Sequence, residues 1–158
     1  EVKESQICSI FDILYGQYAE ERKKFIQTRV SVSQYESENI MFALLEQIAS
    51  MPEWNHLGIM PQYPLRLLLK SDILLTESEK AYANRSWTLV DFVLYNKTTK
   101  HPILAIEVDG MAFHQAGSEQ AKRDELKNSI LDKTGIPLLR LSTDGSNEKN
   151  KIINALSR

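Results

Sequence analysis

Two short apolar runs in this chain each carry a carboxylate at their centre. Asp91 lies within Leu89-Val90-Asp91-Phe92-Val93-Leu94, and Glu107 lies within Ile106-Glu107-Val108, with Asp109 next in line. Aromatic and branched residues at this density read as buried strands, over residues 87 to 95 and 102 to 109. An ionised acid inside a buried strand is costly unless something compensates it. A sheet with one wet face would be the bland explanation, and it fails in part. Asp91 shares its face with Leu89 and Val93, while Glu107 and Asp109 share theirs with Ile103 and Ala105.

Between the two runs, Asn96 to His101 is polar and reads as the turn of a hairpin. With the turn centred between Thr98 and Thr99, Asp91 and Glu107 fall one position from direct opposition, on strands about 4.8 Å apart. A small bulge or slip would bring both side chains onto one face, and Asp109 follows Glu107 there by period-two alternation. Three gathered carboxylates repel one another, and a hard divalent cation with oxygen ligands resolves that repulsion. Ion pairs with lysine or arginine, or protonation of the acids, would resolve it as well.

The remaining pattern supplies the frame. Residues 4 to 28 read as an amphipathic helix, and Ser33-Gln34-Tyr35-Glu36 has the form of a capping box opening a second helix that ends before Pro52. Ile59, Tyr63, Leu65, Leu67 and Leu69 alternate like a strand over 59 to 69, and positions 71 to 86 read as a long polar connection. Ser118 to Lys133 forms a helix stopped by Gly135, with Pro137 beyond it. A strand over 136 to 141 and a helix over 149 to 156 close the chain. The expected fold is α/β, a mixed central sheet flanked by helices in the order αβββαβ, with an extra N-terminal helix. The expected division is a helical extension over 1–32 and one domain over 33–158.

The helix over 118 to 133 carries a second argument. At about 100° per residue, Gln120, Arg123 and Lys127 fall in the same sector as Leu126, Ile130 and Leu131, while Glu125, Asn128, Ser129 and Asp132 occupy the outer face. Cations turned toward a sheet with buried carboxylates suggest one shared site. They serve equally well as structural counter-ions.

Composition sets the outer limits. The chain has 158 residues and a formal net charge of −2, so bulk electrostatics do not advertise a nucleic-acid binder. The basic groups Arg22-Lys23-Lys24, Lys122-Arg123, Lys149 and Lys151 read as solvated helix faces. No apolar run approaches the roughly 20 residues of a membrane span, so no membrane is expected. Cys8 is the single cysteine, which excludes an internal disulfide and makes a cytoplasmic location the simplest expectation. A start at Glu1, without methionine, reads as a piece of a longer polypeptide.

Asp91, followed by Glu107-Val108-Asp109-Gly110, resembles the split acidic motif of the PD-(D/E)XK, or restriction-endonuclease-like, nuclease superfamily. The run Ile106 to Gly110, then His114, then Arg123-Asp124-Glu125-Leu126-Lys127 and Gly135-Ile136-Pro137-Leu138-Leu139-Arg140, is similar to the branch related to very-short-patch-repair endonucleases. The resemblance covers about residues 33 to 143. It implies a DNA nuclease domain, attached to a superfamily 1 helicase module of the same or a longer chain, with DNA favoured over RNA. It implies Mg2+ or Mn2+ held by Asp91, Glu107 and the Val108 carbonyl. Asp109 would complete a second ion's shell or steer a ligand, and Glu38 would reach the metals through water. His114 would act as acid, base or phosphate ligand, with Gln62 as a weaker candidate. Gln120, Arg123 and Lys127 would face the nucleic acid. One departure stands out: the motif lysine two residues after Glu107 is replaced by Asp109, and Lys127 is the candidate to take its role, with Arg123 as a lesser one. The rival expectation is a catalytically degenerate module that binds DNA or protein. A purely structural domain with internal ion pairs is a third. Oligomeric state is open.

Overall fold

A computed structural model describes residues 30–70, 73–109, 119–142 and 146–157, together with Gln17 and Glu20. The chain divides between Ser31 and Val32, and the unit described below is Val32–Arg158. The helix expected over 4 to 28 lies almost wholly outside the described residues.

The second unit runs α1 (Glu36–Ala49), β1 (Leu57–Pro64), α2 (Glu77–Ala83), β2 (Leu89–Asn96), β3 (Pro102–Asp109), α3 (Glu119–Thr134), β4 (Leu138–Ser142) and α4 (Glu148–Leu156). The strands form one mixed sheet in the order β1-β2-β3-β4. β1 pairs antiparallel with β2, β2 antiparallel with β3, and β3 parallel with β4. The parallel step needs a crossover, and α3 supplies it. The expected αβββαβ order is therefore present, with one helix inserted before β2 and a closing helix at the end.

Helices cover both faces, which is why β2 and β3 read as nearly continuous apolar runs. Phe92, Leu94, Leu104 and Ile106 face Met41, Leu45 and Ile48 of α1 and Ile152 of α4. Val93 and Ala105 face Tyr82 and Ala83 of α2 and Ile130 and Leu131 of α3. Period-two alternation puts Asp91 with Val93, and Glu107 with Ala105, on the α3 side. Gly135 stops α3 at φ +72°, a conformation that glycine adopts without Cβ strain, and its N–H returns to the Asp132 carbonyl.

Several local expectations are corrected. No capping box opens α1: Tyr35 is the cap residue and offers no side-chain bond. Asn39 organises the entry instead, its Oδ1 accepting from the Val32 and Ser33 N–H groups and its Nδ2 donating to the Ser33 carbonyl. The capping box of this domain lies at Thr76 and Glu79, where α2 interrupts the supposed polar connection. The strand expected over 59 to 69 starts at Leu57 and ends at Pro64, followed by a 3-10 turn over Leu65–Leu68. Leu65 and Leu68, three apart, are the buried pair, and Leu67 is 58% exposed. β2 begins at Leu89 rather than at 87, and β4 at Leu138 rather than at 136. Among the described residues no helix is long and apolar enough to cross a membrane.

Candidate functional site

The hairpin register decides where the acids meet. Tyr95 pairs with Pro102 but Leu94 pairs with Leu104, so Ile103 is an extra residue in β3. Beyond that bulge Phe92 pairs with Ile106, and the same register continued one step sets Asp91 toward Glu107, where Asp91 Oδ2 accepts from the Val108 N–H. The one-position offset expected from the turn is removed by this extra residue. The row extends across the whole sheet. Gln62 falls between the pairs Pro61–Phe92 and Tyr63–Val90, opposite Asp91, and Glu107 pairs with Arg140 of β4.

Each polar group in the row has a defined partner. The Val108 N–H donates to Asp91 Oδ2 at 2.7 Å, tying β3 back to the acid on β2. Lys127 reaches in from α3, and its ammonium donates to Glu107 Oε2 and to the Leu89 carbonyl, both at 2.8 Å. Arg140 Nη1 donates to Asp109 Oδ1 at 2.9 Å, and Nη2 donates to Asn128 Oδ1 at 2.8 Å. From α1, Glu38 meets Gln62, whose Nε2 donates to Glu38 Oε2. Gln62 holds φ +49° in the middle of β1. A non-glycine residue in that left-handed region costs on the order of 1 kcal/mol and persists only where its surroundings hold it.

One atom lacks a partner. Glu107 is 6% exposed, and its Oε1 is buried with no hydrogen bond among the described residues. An unsatisfied buried carboxylate oxygen is expensive, and its cost raises the proton affinity of the group. Burial pushes the Glu107 carboxyl up to about 7; the Lys127 ammonium opposes that rise and the Asp91 charge adds to it. Asp91 is raised by burial as well, against the lowering effect of the Val108 N–H and Lys127. Burial also raises Glu38, with the Ser33 hydrogen bond opposing and the Asp91 charge adding. Burial thus makes both Asp91 and Glu107 hold protons more tightly than free carboxylates.

A cleft of about 260 Å³ opens on the row, lined by Glu38, Gln62, Asp91 and Lys127, with Arg123 at its side. Arg123 is exposed there rather than turned into the core. Asn128 is exposed on the outer face of α3 as its angle indicates, and accepts from Arg140 there, whereas Ser129, assigned to the same face, is half-buried and donates to Glu79. His114 lies outside the described residues, as does the side chain of Gln120. Among the described residues no three carboxylate, imidazole or thiolate side chains are arranged to hold a metal ion.

The sequence reading missed the role of Arg140, although its signal was the mirror image of Asp91: a cation within the apolar run Leu138-Leu139-Arg140-Leu141. The Leu89 carbonyl had no signal at all, since every residue carries one.

The family model described as DUF2726, protein of unknown function, matches residues 31–158. The chain belongs to this family. No curated protein and no solved structure matches the DUF2726 chain.

Proposed function

We propose that this DUF2726 domain is a divalent-metal-dependent nuclease that hydrolyses DNA phosphodiester bonds, on a restriction-endonuclease-like core of the PD-(D/E)XK kind. The observation that carries the reading is Glu107 Oε1, buried near Asp91 and without a hydrogen-bond donor among the described residues. A donor set of carboxylate oxygens with one unsatisfied lone-pair site suits a hard cation. Asp91 and Glu107 would hold Mg2+ or Mn2+, helped by the Val108 carbonyl. When bound, such an ion lowers the pKa of water and offsets charge on phosphoryl oxygens.

The chain's own groups do the positioning. Lys127 reaches the site from α3, in place of the motif lysine replaced by Asp109, and the Leu89 carbonyl fixes its ammonium. Held beside Glu107, that ammonium stabilises negative charge developing on the scissile phosphate. Glu38, oriented by Gln62 and raised by burial, lies on the same cleft as Asp91. Asp109, engaged by Arg140, keeps the end of β3 against β4 and steers the incoming ligand. The likeness of Ile106 to Gly110 and Arg123 to Lys127 to very-short-patch-repair endonucleases supports DNA as substrate and a helicase module as partner.

The ion pairs Lys127–Glu107 and Arg140–Asp109 favour a second reading, a degenerate nuclease-fold module that binds DNA or protein without cutting. Plasmid nicking separates the two. Nicking in Mn2+ or Mg2+, stopped by chelator and abolished in a folded Asp91→Ala variant, is the expected result. Absence of nicking with every divalent ion would leave the degenerate module.

A further inference from the structure

The cleft over Asp91 has a rim that metal-dependent hydrolysis does not by itself require. Trp87 is 74% exposed and Tyr35 is 58% exposed, and both line this cleft. Trp87 stands two residues ahead of β2, whose first carbonyl, at Leu89, anchors Lys127. Neither ring belongs to either core cluster, so folding does not account for them. Large aromatic side chains left this open, beside a polar floor, are groups that gain by contact with a ligand.

Cations accompany the rings. Arg85 and Arg123 line the same cleft, with Asp124 among them, and Arg85 lies 5.7 Å over the ring of Tyr82. Exposed rings and guanidinium groups thus line one cleft together with Asp91 and Lys127. A duplex keeps its bases stacked on one another and offers no ring face to an indole. An unpaired strand offers both a base to stack and a flexible phosphate backbone to follow the cations.

We propose that this cleft takes a single-stranded segment of nucleic acid, such as a free end, a flap or a gap. Its bases stack on Trp87 and Tyr35, and its phosphates lie against Arg85 and Arg123. The proposal rests on the nuclease reading and narrows its substrate class. Charge complementarity favours a strand over a protein partner, because Arg85, Arg123 and Lys127 line the same cleft as the two exposed rings and offer cations to a phosphate backbone.

The test is fluorescence anisotropy on the full chain in manganese, with labelled phosphorothioate oligothymidylate and a duplex of equal length, so that hydrolysis does not intrude. The single strand is expected to bind about tenfold tighter than the duplex, and Trp87→Ala to weaken it about 5- to 100-fold. Trp87→Phe should recover most of that loss, and duplex affinity should not move. Arg85→Gln probes the same rim should Trp87→Ala misfold, with weaker binding and a flatter salt dependence expected. Equal affinities for strand and duplex, or strand binding indifferent to these variants, overturn the proposal and leave the rim to a protein partner. Duplex nicking in that event keeps the nuclease reading intact. Strand binding that depends on Trp87, without hydrolysis of any substrate, upholds the cleft assignment and removes the nuclease.

Discussion

Replacing Lys127 with methionine keeps the apolar stem of the side chain and removes the ammonium that bonds Glu107 Oε2 and the Leu89 carbonyl at 2.8 Å. The two losses differ in their dependence on pH. The carbonyl loses its donor at every pH, at a cost of about 1 kcal/mol. The carboxyl loses a counter-ion only where it is ionised. With its pKa at about 7, Glu107 is largely protonated at pH 6 and largely ionised at pH 8. A carboxyl raised in the folded state favours folding below its unfolded value, and that benefit is lost as pH rises through the folded value. Lys127 lowers Glu107, so its removal raises the folded pKa further and prolongs the loss above pH 7. At pH 8 the variant must hold a proton against one pH unit, about tenfold in the unfolding equilibrium and on the order of 1 kcal/mol. Urea unfolding of wild type and Lys127→Met at pH 6 and pH 8 measures the difference. The destabilisation should be larger at pH 8 by about 1 kcal/mol. An equal cost at both values, or a larger one at pH 6, would refute the assignment of a near-neutral carboxyl held down by Lys127.

Three further outcomes are expected. If Glu107 must shed its proton to bind an ion, Mn2+ affinity by titration calorimetry should rise about tenfold from pH 6 to pH 8, with proton release detectable in buffers of different ionisation heat; a flat profile would remove Glu107 from the ligand set. Glu79, bonded by Lys133, Ser129 and the Thr76 N–H, is held to about 2, so it stabilises the fold above the usual 4.5 and loses that effect as pH falls toward 2. Glu79→Gln should therefore destabilise at pH 6, and its gap from wild type in urea midpoint should narrow by pH 3. A Cβ on Gly58 would lie 2.3 to 2.6 Å from ring atoms of its cross-strand partner Tyr95, so Gly58→Ala should cost about 1–3 kcal/mol. That cost should vanish in a Tyr95→Ala background, as a double-mutant cycle would reveal.

The strands were legible because their signal is local. Alternation along Leu89 to Leu94 and Ile103 to Asp109 names the faces without any knowledge of neighbours, and β2 and β3 fall where it puts them. β1 was misjudged because Leu65, Leu67 and Leu69 alternate in sequence while the chain turns through a 3-10 segment that buries Leu65 and Leu68. Thr76-Glu77-Ser78-Glu79 carries the capping-box pattern openly. It passed unread because α2, at seven residues, is too short to show a helical period. Partner choice was the less legible part. The angle of Lys127 pointed inward, and it does reach Glu107. Arg123 shared that sector but ends exposed, since a long side chain at the helix border can leave the core for water.

Clustered acids can be relieved by a cation from solution, by a basic side chain or by a proton, and pattern alone does not choose. In the folded domain the choice differs from acid to acid. Asp109 has a guanidinium, with Arg140 itself braced by Asn128. Asp91 has a backbone N–H, which can neither leave nor titrate. Glu107 has half of each solution: an ammonium on one oxygen, a proton affinity near neutrality, and, among the described residues, no hydrogen bond on the other oxygen. A purely structural ion pair would be expected to satisfy both oxygens, because leaving one bare in the interior costs about 1–3 kcal/mol with no return in stability. That unfilled valence, on the row where Gln62 is held at positive φ against Glu38, is where the domain spends stability. The strained Gln62 lines the cleft beside Asp91 and Lys127, and Lys127 carries the link from that cleft to the buried Glu107, so the proposed ligand reading predicts that perturbing either end is felt at the other.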